Sequence, residues 1–264
     1  MIEKLYVKKD TEADDIFFFN EIDFTKLPNY KVVPLFGING IGKTTLLKEI
    51  HHVLHYYNKL IKEQELVVDD LNDKLTAAFY HDGDLTKYYQ NKIDKCDLKL
   101  EYNNTNIVYK YFNSEDNFRV KRMGIAVDPV LFNCKYDAQS VSEGQSIIYS
   151  IFDLLNVIRK DIPKKEGINY VFLFDELDSG LSIDNVDIVM RKIKYIVDRR
   201  DDVQFFISFN NPRVLKTFPN VISLYDGNCI KLNNEDDMMD IINENKKMFN
   251  KARKTSKGTP KVFG

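Results

Sequence analysis

The chain carries little that would tie it to a redox scaffold or a membrane. Three cysteines, Cys96, Cys134 and Cys229, stand among 264 residues, far apart, odd in number and without C-x-x-C spacing. That pattern suggests neither a disulfide framework nor a zinc site, and suits plain thiols in a reducing cytosol. No run approaches the ~18 apolar residues a membrane span needs. The stretch Met1 to Asp10 mixes acids with lysines and has no apolar centre, so no leader is read there and a cytoplasmic location is expected. Charge of one sign is also lacking: 38 Lys and Arg stand against 40 Asp and Glu, for a formal net charge of -2. Bulk charge therefore announces neither a nucleic acid nor a membrane surface. There is no internal repeat. What remains is an ordinary globular composition, 44% hydrophobic and 30% charged, with enough chain for one large α/β domain and its core.

Histidine offers no metal set either. His51 and His55 stand four apart on a predicted helix, with His52 between them. There is no H-E-x-x-H, and no Cys or carboxylate is placed to complete a ligand set, so solvated helix histidines are expected.

What the chain does have is Gly37-Ile-Asn-Gly-Ile-Gly-Lys-Thr-Thr45, a full match to the G-x-x-x-x-G-K-[ST] phosphate loop. It follows an apolar strand pattern, Lys31 to Phe36, and precedes an amphipathic helix opening at Leu46. Strand, glycine loop and helix N-terminus let backbone N–H groups surround a polyphosphate. Lys43 then reaches the β- and γ-oxygens, and Thr44 offers its hydroxyl to Mg2+.

Leu5 to Lys8, Asp15 to Phe24 and Lys31 to Phe36 read as strands. In Phe17-Phe18-Phe19, strand alternation favours core packing over stacking on an adenine, and Tyr30 is a comparable candidate. Leu47, Ile50, Val53, Leu54, Tyr57, Leu60 and Ile61 recur at three and four, which predicts a helix to residue 64. Asp97 to Tyr102 and Ile107 to Phe112 flank Asn103-Asn-Thr-Asn106 and read as a β-hairpin. Phe118 to Val127 reads as a further strand whose Arg119, Lys121 and Arg122 form a solvated basic face. Residues 66–135 are thus expected to form a lobe inserted in a single domain spanning 1–245. The tail 246–264, basic from Lys246 to Lys261 and without an acid, is expected to be flexible, although such a tail can also hold a nucleic acid.

Val141-Ser-Glu-Gly-Gln145 opens a second apolar helix to Ile158, with Ser142 placed to cap it. That helix start could serve as a phosphate site or as a plain cap. Tyr170 to Glu176 is an apolar strand ending in two acids, the pattern of a buried parallel strand whose C-terminal edge faces ligand. Asp175 there would hold Mg2+ directly or through water, and Glu176 would polarise an attacking water. A helix over Ile183 to Arg199, a strand over Val203 to Ser208 and a closing hairpin from Val221 to Leu232 complete the core.

In this order the motifs resemble those of the ABC-type ATPases. GINGIGKTT is similar to the Walker A loop, VSEGQ to the signature motif, FLFDE to Walker B with its catalytic glutamate, and LDSGLS to the D-loop, over residues 1–232. The resemblance implies an α/β P-loop NTPase of ABC type, with a mixed core sheet, flanking helices and an inserted helical and β-hairpin lobe. It implies ATP and Mg2+ as ligands and a head-to-tail dimer. Each ATP would lie between one subunit's Gly37, Ile38, Asn39, Gly40, Ile41, Gly42, Lys43, Thr44 and Thr45 and Ser142, Gly144 and Gln145 of the partner subunit. Metal would sit on Thr44 and Asp175, and catalysis would rest on Glu176 and Lys43. Where the family usually carries a switch histidine, Ser208-Phe-Asn-Asn-Pro212 puts Asn210. An asparagine can donate to a γ-phosphate but carries no proton or charge, which implies slow turnover. Gln90 is a candidate for the family's glutamine loop.

The β-rich insertion and the FLFDE-L-DSGLS junction are similar to those of the soluble SMC-like heads and anti-phage defence ATPases. Fewer than 100 residues separate the phosphate loop from the signature, which excludes a long coiled coil. The expectation is a switch or motor that holds itself together around ATP, as a dimer or higher oligomer. It would act with a DNA-processing protein, with nucleic acid, or with a separate nuclease or toxin effector, since no effector chemistry is present in the chain. The alternative is the nucleotide-binding subunit of an ABC transporter.

Overall fold

The computed structural model describes residues 1–8, 17–63, 85–103, 106–113 and 143–255. Its centre is a six-stranded sheet of order β5-β6-β7-β3-β8-β9. The strands are β3 (Val32–Phe36), β5 (Ile107–Asn113), β6 (Asn169–Asp175), β7 (Val203–Ser208), β8 (Asn220–Ser223) and β9 (Cys229–Lys231). All neighbours are parallel except β8 and β9, which close the sheet as an antiparallel pair. Every residue of β3, β6 and β7 is buried, as expected of central parallel strands covered on both faces. Strand β7 lies between β3 and β6, and its register sets Leu35 beside Ser208 and Phe174 beside Ile207. The C-terminal ends of three strands therefore share one edge.

Helix α1 (Lys43–Glu63) leaves that edge and packs along β5, β6 and β7, with Leu46, Leu47, Ile50, Val53 and Leu54 buried. Helices α3 (Glu143–Lys160) and α4 (Ile183–Val197) pack on each other and bury apolar stripes. Ser182 caps α4 by accepting the N–H of Asn185. Helix α2 (Leu85–Lys95) lies against α1, and α5 (Glu235–Thr255) ends the described chain. The architecture is α/β, a mixed, mostly parallel sheet flanked by helices, and is compatible with a phosphate-loop fold. No helix among the described residues is long and apolar enough to cross a membrane.

A second, antiparallel sheet has order β2-β1-β4, from β1 (Ile2–Val7), β2 (Glu21–Asp23) and β4 (Leu98–Tyr102). Gln204, fully buried on β7, fastens it to the core. Its Oε1 accepts the N–H of Ile2 at 2.8 Å, and its Nε2 donates to the carbonyls of Ile2 and Tyr30 at 2.9 and 3.0 Å.

Two expectations change here. The hairpin across Asn103–Asn106 does not form: β4 joins β1 in the small sheet, while β5 runs parallel to β6 in the large one. Asn169 is tied to both strands: its Nδ2 donates to Asn103 Oδ1 at 3.1 Å and its N–H to the Asn106 carbonyl at 2.9 Å. Two strands of the expected lobe thus belong one to each sheet, and the strand expected over 118–127 lies outside the described residues. Of the strand expected over 15–24, Glu21–Asp23 alone is strand among the described residues, stopped by a 3-10 turn at Phe24–Lys26 that Asp23 caps. Helix α5 carries helical backbone across position 246 as far as Thr255, and the rest of the expected tail lies outside the described residues.

Candidate functional site

The glycine-rich loop Gly37–Thr45 joins β3 to α1 at the shared C-terminal edge. Gly40 turns at a φ of +84° with open space around the missing Cβ, so backbone conformation alone asks for glycine. At Gly37 the demand is steric, because a Cβ would meet Ile41 Cγ2 at 2.7 Å. The Ile38 N–H donates to the Tyr225 hydroxyl at 3.1 Å, while Asn39 is exposed and Thr45 half-buried. The Gly42 carbonyl accepts the Leu46 N–H at 2.8 Å and starts the helix.

Lys43, the first residue of α1, is buried and folds back over the loop, its Nζ donating to the Gly37 carbonyl at 2.6 Å and to that of Ile38 at 3.4 Å. Burial pulls its pKa down, opposed by the negative charges of Asp178 first, then Glu176 and Asp175. One lysine thus faces three acids without a direct ion pair to any of them.

Asp175 ends β6, buried, with both carboxylate oxygens in use. Oδ1 accepts from Thr44 Oγ1 at 3.0 Å and from Ser208 Oγ at 2.8 Å, and Oδ2 accepts from the Tyr111 hydroxyl at 3.2 Å. Thr44 comes from the start of α1, Tyr111 from β5 and Ser208 from the tip of β7, so residues 131 and 33 apart in sequence meet at one oxygen. Ser208 also accepts the Glu176 N–H at 2.7 Å. Glu176 is half-buried and is the one non-glycine residue with a positive φ, +52°, among the described residues. A left-handed turn directly after a buried strand is strain held by its surroundings, here by the Ser208 hydroxyl.

The next turn is fastened to the loop after β7. Asp178 is buried; its Oδ2 accepts the N–H groups of Asn210 at 2.8 Å and Asn211 at 2.5 Å, and its buried Oδ1 has no hydrogen-bond partner among the described residues. Burial raises the Asp178 pKa against the pull of those two N–H donors. Asn210 itself is exposed, with its backbone rather than its side chain held. Beyond it, Asn211 Oδ1 accepts the Arg213 N–H at 3.0 Å and caps the short 3-10 turn Pro212–Lys216.

The structure therefore brings together Lys43, Thr44, Asp175, Glu176 and the Asn210 backbone. Gly144 and Gln145 lie in the first turn of α3, and Ser142 lies outside the described residues. The turn after β6 meets α3 through Gly180, where a Cβ would lie 2.7 Å from Ile147 Cδ1. Gln90, the glutamine-loop candidate, is exposed on α2 and donates to Asp94 on its own helix at 3.0 Å, not to the site. Phe17 and Phe19 are buried, but Phe18 is 56% exposed, so alternation assigns the core to two of the three. Tyr30 is half-buried against the core.

The helix histidines depart from expectation. His51 is half-buried with its ring 5.4 Å from those of Tyr109 and Tyr111, and His55 Nδ1 lies 3.1 Å from the Tyr109 hydroxyl. Burial, with the nearby His52 and His55, lowers the His51 pKa from 6.5 to about 4. Only His52 is exposed, near Glu49 at 3.3 Å. No group of three His, Cys, Asp or Glu side chains among the described residues is arranged to hold a metal, and the Cys96 and Cys229 thiols are free.

Comparison with protein-family models, with curated proteins and with solved structures gives no match. The site therefore speaks through its own geometry. Sequence reasoning missed Ser208, Tyr111 and Tyr225. Ser208 alone had a local signal, a hydroxyl closing an apolar strand; the two tyrosines are recruited by neighbouring elements.

Proposed function

We propose that this chain binds and hydrolyses ATP and works as an ATP-driven switch of the ABC type that its motifs resemble. The observation carrying the reading is the meeting of Thr44 Oγ1 and Asp175 Oδ1 at 3.0 Å. A hydroxyl one residue past the loop lysine and a carboxylate at the end of a buried strand are hard oxygen donors, the chemistry that suits Mg2+ beside a polyphosphate. Bound there, Mg2+ would neutralise charge on the β- and γ-phosphates. The loop N–H groups would cradle the phosphates, and Lys43 would leave the Gly37 carbonyl for a phosphate oxygen. Glu176, next to the metal-side acid, would orient and polarise water. Asn210 would offer its amide N–H to the γ-phosphate without proton transfer, which favours slow turnover and an output read as assembly.

Under this reading α3, with Gly144 and Gln145 in its first turn, belongs to the face presented to a second copy. The finer assignment is a soluble SMC-like switch serving a DNA-processing or effector partner. The test is the solution mass of Glu176→Gln with and without Mg-ATP. Weakened hydrolysis should trap the closed form, giving a monomer without nucleotide and a dimer with it. A variant that binds ATP yet stays monomeric refutes the sandwich, and one that binds no ATP refutes the function.

A further inference from the structure

The turn that follows β6 contains a carboxylate that neither phosphate binding nor metal binding uses. Asp178 sits two residues past Glu176, 7% exposed, and spends one oxygen on two consecutive backbone N–H groups of the loop after β7. Two neighbouring N–H groups converging on one carboxylate oxygen form a small anion nest, a device that fixes the backbone supplying it.

The loop so fixed is the one that carries Asn210. Its side chain is exposed and makes no hydrogen bond to another described residue, so its backbone sets its direction. On one side Ser208 is held by Asp175 and Glu176; on the other Asn211 caps its short turn. Between them the Asp178 carboxylate is the only described side chain that grips the backbone of residue 210. Placement of a γ-phosphate contact within about half an ångström is what separates binding from turnover.

From this geometry we infer that Asp178 is a positioning residue for the hydrolytic step, acting through Asn210 and not on the nucleotide. The inference rests on the ATPase reading for its kinetic consequence, but its structural consequence stands without ATP. Asp178→Ala removes the acceptor and frees the 210–211 N–H groups. Asp178→Asn keeps an oxygen for them while removing the charge, so it separates position from electrostatics.

Two measurements test it. In nucleotide-free protein, amide hydrogen exchange over 208–213 should speed up by about tenfold or more in Asp178→Ala and stay near wild type in Asp178→Asn. In steady-state assays Asp178→Ala should lower kcat by about tenfold with KM for ATP changed less than about threefold, and Asp178→Asn should restore most of it. Adding Asn210→Ala to Asp178→Ala should cost little more, because both remove one function. Unchanged exchange in Asp178→Ala overturns the latch whether or not the protein hydrolyses ATP. Changed exchange with additive losses of kcat, or an Asp178→Asn variant as slow as Asp178→Ala, overturns the coupling to Asn210. A wild-type protein that turns over no ATP refutes the function proposed above and this kinetic role with it, leaving the exchange result to judge the latch.

Discussion

Ser208→Ala deletes one oxygen atom and should be among the most destabilising single-atom changes in the protein. The hydroxyl is fully buried, donates to Asp175 and accepts from the Glu176 N–H. A hydrogen bond to a charged acceptor contributes about 1.5–3 kcal/mol, and an orphaned buried N–H costs about 1–3 kcal/mol. Asp175 keeps its bonds from Thr44 and Tyr111, so its charge is not left bare and the first figure belongs at its lower end. The Glu176 N–H is only partly buried, so water recovers some of the second. The balance is about 2–4 kcal/mol of lost stability. Since the chain has no tryptophan, urea unfolding followed by far-UV circular dichroism is the assay, read as a lower midpoint at unchanged slope. Thr44→Ala is the control: it removes a bond to the same oxygen from a half-buried hydroxyl and should cost about 1 kcal/mol. If Ser208→Ala loses less than about 0.5 kcal/mol, or no more than Thr44→Ala, the hydroxyl does not hold the strained turn at Glu176.

Gly40→Ala should cost about 1–2 kcal/mol despite empty space around the new methyl, because the penalty lies in the positive φ; denaturant unfolding reads it, and a neutral result would mean that the loop relaxes freely. His51 gives a pH signature. Its folded pKa is lowered from 6.5 to about 4 by burial and by the neighbouring histidines. The unfolded chain therefore takes up this proton first, and stability falls as pH drops from 6.5 towards 4. Urea midpoints for His51→Gln across that window should decline less than wild type; parallel declines would show that the ring is solvated.

The central strands could be read directly, because β3, β6 and β7 are apolar on both faces and only a buried parallel strand needs that. The closeness of Thr44 and Asp175 was also legible, since each stands in a short local pattern. Partnership between strands was not. Alternation in Leu98–Tyr102 and Ile107–Phe112 tells which side chains point inward and nothing about which strand lies alongside, so adjacent runs looked like a hairpin and belong to two sheets. Tyr111 and the shelter of His51 depend on that same pairing, which brings β5 beside β6 and under α1. The Asp178 contacts were hidden for a related reason: they join turns at the ends of β6 and β7, more than 30 residues apart.

Strand β7 also makes the protein unevenly tolerant of change. Neighbouring strands stand about 4.8 Å apart, so with β7 between them the tips of β3 and β6 are held roughly 10 Å from each other, and the phosphate loop must bridge that tip to bring Thr44 to Asp175. Side chains alternate along a strand, so one residue gained or lost within Val203–Ser208 would turn the hydroxyl away and offer Ile207 or Phe209 to the acid. Over generations this lineage could vary the identity of many surface residues and lengthen its outer loops at little cost. The residue count of one six-residue strand is a quantity it could not lose by ones.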